Sequence, residues 1–375
     1  MKTNTKNKRI AWIDIARGIA IIAVVAGHSL GNYWPGYLGN FLFAFHMPIF
    51  FILSGYLYHE QNQKTLEKKN FFNLLMPYIA TVAIGFILLF LYRMVPNSII
   101  APSRGSSFRD FFFSAIYGAG GDVFIPDTSI KIKAIGAIWF LMAMFIANQI
   151  FNLIMKLKIK VRYKVMVIIL LTLVGVQTAK YFFLPFSVQP ALIAQCFLMS
   201  GYLIKKYNIL SKVNWLVIVM LLLLWIWDAF FNLFDFEGVN ATNIYIALPV
   251  GITSSIVVMK FSMYIENLTA SVIEVFERIF LFFGEQSLIL LCFHLIDLDY
   301  VQLWPKVIQM VNNHFGYLPA IAFGVVYRIL FVSIIALMMP YIPFLRLFYM
   351  HRQHPFSELK TFLVKKERKK NDRRK

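Results

Sequence analysis

Apolar runs long enough to cross a bilayer recur along this chain, separated by short polar or basic segments. A membrane-spanning helix needs about 20 mostly apolar residues. Ten stretches meet or approach that length: 11–33, 41–58, 72–95, 135–155, 164–184, 189–204, 213–232, 243–263, 277–297 and 319–345. The pattern predicts an all-α integral membrane protein of about ten transmembrane helices, with one membrane domain over 1–350 and a basic tail over 351–375. The start, MKTNTKNKRI and then an apolar run, has the outline of a signal peptide, but Asp14 and Arg17 interrupt the apolar part. It is therefore read as an uncleaved first transmembrane helix.

Composition agrees. Of the 375 residues 59% are hydrophobic and 15% charged, against about half and a quarter in soluble domains. The net charge of +19 would suit nucleic acid, but its placement excludes that partner and points to membrane lipids. The cations gather in KTNTKNKR, QKTLEKK, KLKIKVRYK, KKYNILSK and KKERKKNDRRK, whereas GNYWPGYLGN, LPFSVQP and FDFEGVNATN contain no Lys or Arg. By the positive-inside rule this places both termini in the cytoplasm. The segment 96–134, rich in Gly, Ser and Pro, is the longest between helices and reads as a partly ordered outer cap. The basic tail is expected against anionic headgroups. Two cysteines, Cys196 and Cys292, both in apolar stretches, provide neither a metal spacing nor a disulfide framework.

Ionisable side chains inside such segments cost a few kcal/mol each, which makes them functional candidates. They are Asp14, Arg17, His28, His46, Asp228, Glu285, His294, Asp297 and Arg328. In RGIAIIAVVAGH, residues 17 to 28, eleven helical steps leave Arg17 and His28 about 20° apart on one face and about 16 Å apart along the axis. Asp14, one turn earlier, can pair with Arg17, so Asp14, Arg17, His28 and Ser29 form a polar stripe. Read structurally, Arg17 would snorkel to the headgroups and His28 would bond a neighbouring carbonyl; their shared face favours a cavity instead. In FHMPIFFILSGYLY, Pro48 presets a helix start beside His46, and Ser54-Gly55 makes a notch for a close-packed helix or a ligand. On a continuous ninth helix Glu285 and His294 would be about 180° opposed. Asp228 and Arg328 are lone charges that could pair with each other or with the 96–134 cap.

An Arg, ten residues and a His in the first helix, followed by His-x-Pro-x-Phe-Phe-x-x-Ser-Gly in the second, resembles the acyltransferase-3 family of bacterial membrane O-acetyltransferases. The resemblance continues through MPY at 76–78, GAIWFL at 136–141, FLMSGYLI at 197–204 and FGEQSLILLCFH at 283–294. It is closest to stand-alone fucose and capsular-polysaccharide O-acetylases. It implies a bacterial cytoplasmic membrane enzyme that uses acetyl-CoA as acyl donor and needs no metal. The acceptor would be a cell-surface glycan or a lipid-linked oligosaccharide. Arg17 and His28 would be the essential pair, with His46 in the second motif and Trp139 in the fourth helix. Where the family often carries arginine before its Pro-Tyr, this chain has Asn73, with Lys68 and Lys69 the nearest cations.

Imidazole near its ordinary pKa suits a base or a transient acyl carrier, and a guanidinium suits CoA phosphate. The expected site is therefore His28, Arg17, His46 and His294 for catalysis, and Arg17, Asp14, Lys68 and Lys69 for the donor. Ser29, Ser54, Trp139 and Glu285 are expected to face the acceptor. A transporter or flippase of a glycan or small anion would also need intramembrane charge, but it predicts inverted repeats and paired broken helices, and no such symmetry is visible in the sequence.

Overall fold

A computed structural model describes residues 10–350 apart from 32–35, 96–98, 104, 106, 127, 129, 269–270 and 302. The basic tail and the first nine residues lie outside the described residues. The chain opens with α1 (Ala11–Gly27), then α2 (Tyr37–Phe43) and α3 (Pro48–Tyr56), separated by four turn residues that include His46. Pro48 starts α3 at the position where its missing N–H is harmless. α4 (Gln63–Asn70) passes through a π-helical turn at Phe71–Leu75 into α5 (Met76–Met94). The segment expected to form a cap carries α6 (Phe108–Tyr117) and an antiparallel hairpin of β1 (Val123–Phe124) and β2 (Lys131–Ile132). Then come α7 (Trp139–Lys156), α8 (Val161–Ala179), α9 (Val188–Lys206), α10 (Ile209–Lys212) and α11 (Trp215–Asp228). A second hairpin, β3 (Phe234–Asp235) with β4 (Asn240–Ala241), leads into α12 (Ile244–Glu266). α13 (Ser271–Glu285), α14 (Ser287–Asp299), α15 (Leu303–Phe315), α16 (Tyr317–Met338) and α17 (Pro343–Tyr349) complete the fold.

The protein is all-α apart from the two small hairpins. Seven helical stretches among the described residues are long and apolar enough to span a membrane, or eight if α13 and α14 count as one broken span. The sequence suggested ten. α1, with 17 residues, and α11, with 14, are shorter than a full crossing. The ninth span is not one helix, because α13 and α14 meet at a 74° bend around Gln286. The opposition of Glu285 and His294 computed for a straight helix therefore does not hold. The span 41–58 is likewise broken, at Ala44–Met47. α15 was not anticipated as a helix.

Small residues set the closest packing. A side chain on Gly55 of α3 would collide with the Leu198 carbonyl of α9, and one on Gly201 of α9 would collide with the Ile52 carbonyl of α3. The two Ser-Gly-Tyr-Leu segments, 54–57 and 200–203, thus contact each other reciprocally, backbone on backbone. The notch seen in the sequence holds a helix. α1 meets α13 in the same way, through Gly18 against Phe280 and Gly284 against the Asp14 backbone. Without a hydrophobic drive between helices in lipid, such close approach is a main source of association. Gly55→Ala and Gly201→Ala are each expected to cost about 1–3 kcal/mol through overpacking, read as a lower melting temperature in detergent. Wild-type melting in both would show that the α3–α9 contact does not depend on these glycines.

Candidate functional site

One face of α1 lines two cavities. Asp14, Arg17 and Ile21 face the larger, of about 400 Å³, and Val24 and His28 face the smaller, of about 200 Å³. These positions, three and four residues apart, share a helix face. Leu291 of α14 is the one residue common to both linings, so it stands at the wall between an arginine chamber and a histidine chamber.

The arginine chamber is polar and basic at its rim. Arg17 donates to Asp14 Oδ1 at 3.2 Å, with its side chain about one-third exposed (34%), so the ion pair itself adds little stability. Lys69, Asn70 and Asn73 reach the same space from α4 and the π-helical turn. Lys68 is exposed and does not line it. Ser54 lines it and donates to Asn148 Oδ1 at 3.1 Å; one turn further along α7, Asn152 accepts from the Tyr58 hydroxyl at 3.0 Å. Partial burial together with nearby Glu60 pushes the Tyr58 phenol up to about 12, so it remains a neutral donor. Glu285, at the end of α13, faces this chamber and not His28.

The histidine chamber is lined by His28, His46, Trp139, Asp235, Phe236 and Glu237, with apolar and small residues between them. His28 caps the C-terminal end of α1. Its ring lies 5.4 Å from that of His294 in a stacked pair and 5.6 Å from Phe43 edge-on. Phe43 in turn contacts His46 at 4.5 Å. His46 Nδ1–H donates to the Leu42 carbonyl at 2.9 Å and His294 Nδ1–H to the Leu290 carbonyl at 3.2 Å. In the neutral imidazole these bonds leave Nε2 as the unprotonated nitrogen. His294 Nε2 is buried without a hydrogen-bond partner among the described residues.

Arg328 fixes this arrangement. Fully buried on α16, it donates from Nε to Asp297 Oδ2 at 2.7 Å, and from Nη1 to the His28 carbonyl at 2.8 Å and Ser29 Oγ at 3.1 Å. Tyr327 adds a bond to Asp297 Oδ1 at 2.9 Å. The pairing left open between Asp228 and Arg328 is thus resolved differently: Arg328 takes Asp297, and Asp228 accepts from Asn232 at 3.2 Å. Ser29 is fully buried, bonded to the Val25 carbonyl and to Arg328, so it supports the end of α1 and does not line either chamber.

Asp235 and Glu237 were missed in the sequence, where FDFEGVNATN reads as a solvent loop. Phe234 and Phe236 anchor this hairpin in the core, and the Phe236 ring lies 5.8 Å from that of Trp139. The intervening acids then turn to the chamber. Burial raises the Asp235 carboxyl above its usual range, opposed by the Gly238 and Glu237 backbone amides. The signal that could have found them is the alternation of aromatic and acidic residues.

The family model for an acyltransferase domain matches residues 10–342. The chain belongs to the acyltransferase-3 family. No curated protein and no solved structure matches it. This acyltransferase is therefore a multi-pass membrane enzyme whose helix-α1 stripe faces two adjoining chambers.

Removing one partner of a buried ion pair leaves an uncompensated charge and costs about 3–5 kcal/mol. Asp297→Ala should therefore destabilise the acyltransferase strongly, and adding Arg328→Met should recover part of the loss. Melting of the two single variants and the double variant tests this; strictly additive losses would show that the pair is not coupled.

Proposed function

We propose that this acyltransferase transfers an acetyl group from acetyl-CoA to a hydroxyl of a cell-surface or lipid-linked glycan in a bacterial cytoplasmic membrane. The observation that carries this reading is the division of labour along α1. A cation-bearing chamber suits an anionic donor, and a chamber lined by His28 and His46, with His294 stacked on His28, suits proton transfer, with only Leu291 common to both. Membership of an acyltransferase family supports acyl transfer over transport.

In this reading Arg17 and Lys69 bind CoA phosphates at the cytoplasmic mouth, Asp14 orients Arg17, and the pantetheine arm points towards Leu291. His28 takes the proton of the acceptor hydroxyl as its oxygen attacks the thioester carbonyl. A carbon–oxygen bond forms and the carbon–sulfur bond breaks. The thiolate of CoA receives the proton from His28, leaving ester and free thiol. His294 stacks on His28 and holds it, while the Arg328 bond to the His28 carbonyl positions the ring.

His28→Ala in the full chain, reconstituted in lipid, is expected to lower acetyl transfer by at least about 100-fold, in line with loss of a general base, even with acetyl-CoA saturating. Survival of wild-type O-acetylation on the envelope glycans of cells carrying this variant would remove His28 from that role. Arg17→Gln is expected to weaken acetyl-CoA by about 10- to 100-fold, the range for losing a hydrogen bond to a charged group, with smaller effect at saturation. Equal donor affinity in wild type and variant would end the phosphate assignment. Leu291→Ala should open the wall between the chambers and raise the use of butyryl-CoA relative to acetyl-CoA; an unchanged ratio would place the acyl group elsewhere.

A further inference from the structure

An apolar cavity of about 530 Å³ lies behind α1, bounded by α1, α2, α11, α12 and Phe280 of α13. α1 contributes Ile19, Ile22, Ala23 and Ala26 to it, whereas Ile21, Val24 and His28 face the two chambers. By helical periodicity these two sets point about 180° apart on α1. α11 packs against α12 and α2 and leaves the cavity on its side towards α1. Every lining residue carries an apolar side chain or an indole. Such walls offer water no hydrogen bonds, but they offer dispersion contacts to a hydrocarbon.

The two ends of the cavity differ. At one, the Trp225 and Phe41 rings stack at 4.0 Å, and the Trp225 indole N–H donates to the Phe41 carbonyl at 2.9 Å, which closes it. At the other stands Trp215, half exposed (49%) and edge-on to Tyr264 at 5.3 Å. Lys260 Nζ donates to the Leu210 carbonyl at 2.7 Å, so α10 is fastened to α12 beside Phe261, a wall residue. That bond sets the exposed Lys212, at the end of α10, near the Trp215 end. An indole followed by a cation is the order that a lipid–water boundary favours. From Trp215 to Trp225 ten helical steps rise about 15 Å, half of a hydrocarbon layer of about 30 Å. The cavity thus has the depth of one leaflet, a closed floor and a cationic rim. Fluid lipid accounts for the exposed Leu216 and Met220 on the far side of α11, but it does not account for a floor and a matched depth.

We propose that this cavity binds one acyl chain of an anionic phospholipid, drawn from the leaflet that faces the basic loops, with the lipid phosphate at Lys212. A zwitterionic lipid brings its own cation to the same rim and gains less from the lysine. A polyprenyl chain is branched at every unit and far longer than the cavity is deep. The bound chain packs behind the helix that carries Arg17 and His28, as a structural ligand of α1. The site is separate from the donor and acceptor chambers and does not rest on the acyl-transfer reading above.

The test uses the full chain in detergent, with phosphatidylglycerol, phosphatidylcholine and a long-chain polyprenyl phosphate as probes. Phosphatidylglycerol with a diazirine near the end of one acyl chain should, on illumination, label Ala26, Leu222 or Trp225 at the closed end, as mapped by peptide mass spectrometry. Val219→Phe and Ala26→Phe fill the cavity from opposite walls, and each should cut that labelling by about tenfold, as overpacking would. Melting without added lipid shows which of the two is folded, and either one decides the point. Lys212→Gln should raise the phosphatidylglycerol concentration for half-maximal thermal stabilisation by about fivefold, the effect of one cation at an anionic lipid, and leave phosphatidylcholine unchanged. Labelling spread evenly over Leu216 and Met220, or undiminished in a folded cavity-filling variant, would overturn the proposal. So would equal affinity for the two phospholipids in wild type. Displacement of the label by polyprenyl phosphate at lower concentration than by unlabelled phosphatidylglycerol would assign the cavity to an isoprenoid instead, and loss of labelling on dimerisation would assign it to a second copy of the chain.

Discussion

A buried ion pair, Arg328 with Asp297, ties together the helices around the histidine chamber. Two charges inside a membrane domain are expensive unless each finds a partner and the remaining donors are satisfied. Here the carboxylate takes bonds from Arg328 and Tyr327, and the guanidinium spends its further donors on the His28 carbonyl and Ser29. A cation at the C-terminal end of a helix is also favoured by the helix dipole. Three elements are therefore tied at one point: the end of α1, the α14 helix that carries both His294 and Asp297, and α16. Because His294 lies three residues before Asp297 on α14, the same lock that grips the His28 backbone also sets the ring stacked on it.

The backbone around the chambers departs from regular helix at several of the lining residues, although Arg17 and His294 lie within α1 and α14. His28 follows the last helical residue of α1, His46 sits in the break between α2 and α3, and the bend between α13 and α14 separates Glu285 from His294. The π-helical turn at Phe71–Leu75 brings Asn73 to the arginine chamber. Irregular backbone at membrane depth is tolerated only where it is buried in protein or lines a cavity, since lipid cannot satisfy freed N–H and C=O groups. These interruptions coincide with the linings of the two chambers, as that constraint requires. The close contacts of Gly55 with the Leu198 backbone, Gly201 with the Ile52 backbone and Gly18 with the Phe280 backbone provide the frame against which the breaks are held.

Much of this was legible in the sequence, and the parts that were not have common causes. The all-helical class followed from apolar runs, and the polar stripe of α1 followed from 3.6-residue periodicity, a local property. The Ser54-Gly55 notch was visible because small residues in an apolar helix have few other uses. The Asp297–Arg328 pair was not, because the two lie on different helices and nothing local says which of several buried charges will meet. The bend at Gln286 was hidden as well: FGEQSLILLCFH has no proline, and its one glycine is used for contact with α1. α15 escaped notice because its amphipathic pattern falls between two apolar runs and cannot compete with them by hydropathy. Ten apolar runs against seven or eight long apolar helices among the described residues differ because hydropathy does not mark where α1 and α11 end.

The acidic hairpin shows why charge in a loop is harder to interpret than charge in a span. A carboxylate inside an apolar run stands out because lipid gives it no alternative partner, whereas in FDFEGVNATN water is the default partner and the residues look unremarkable. Asp235 and Glu237 turn inward beside the buried Phe234 and Phe236, of which Phe236 packs against Phe51 of α3, Trp139 of α7 and Phe197 of α9. Two aromatic anchors at alternate positions force the residues between and beside them to one edge of the hairpin, over the chamber. The apolar residues of this loop thus determine where its charges act. An electrostatic site at the rim of a membrane protein can in this way be set by packing, with the acids following the rings.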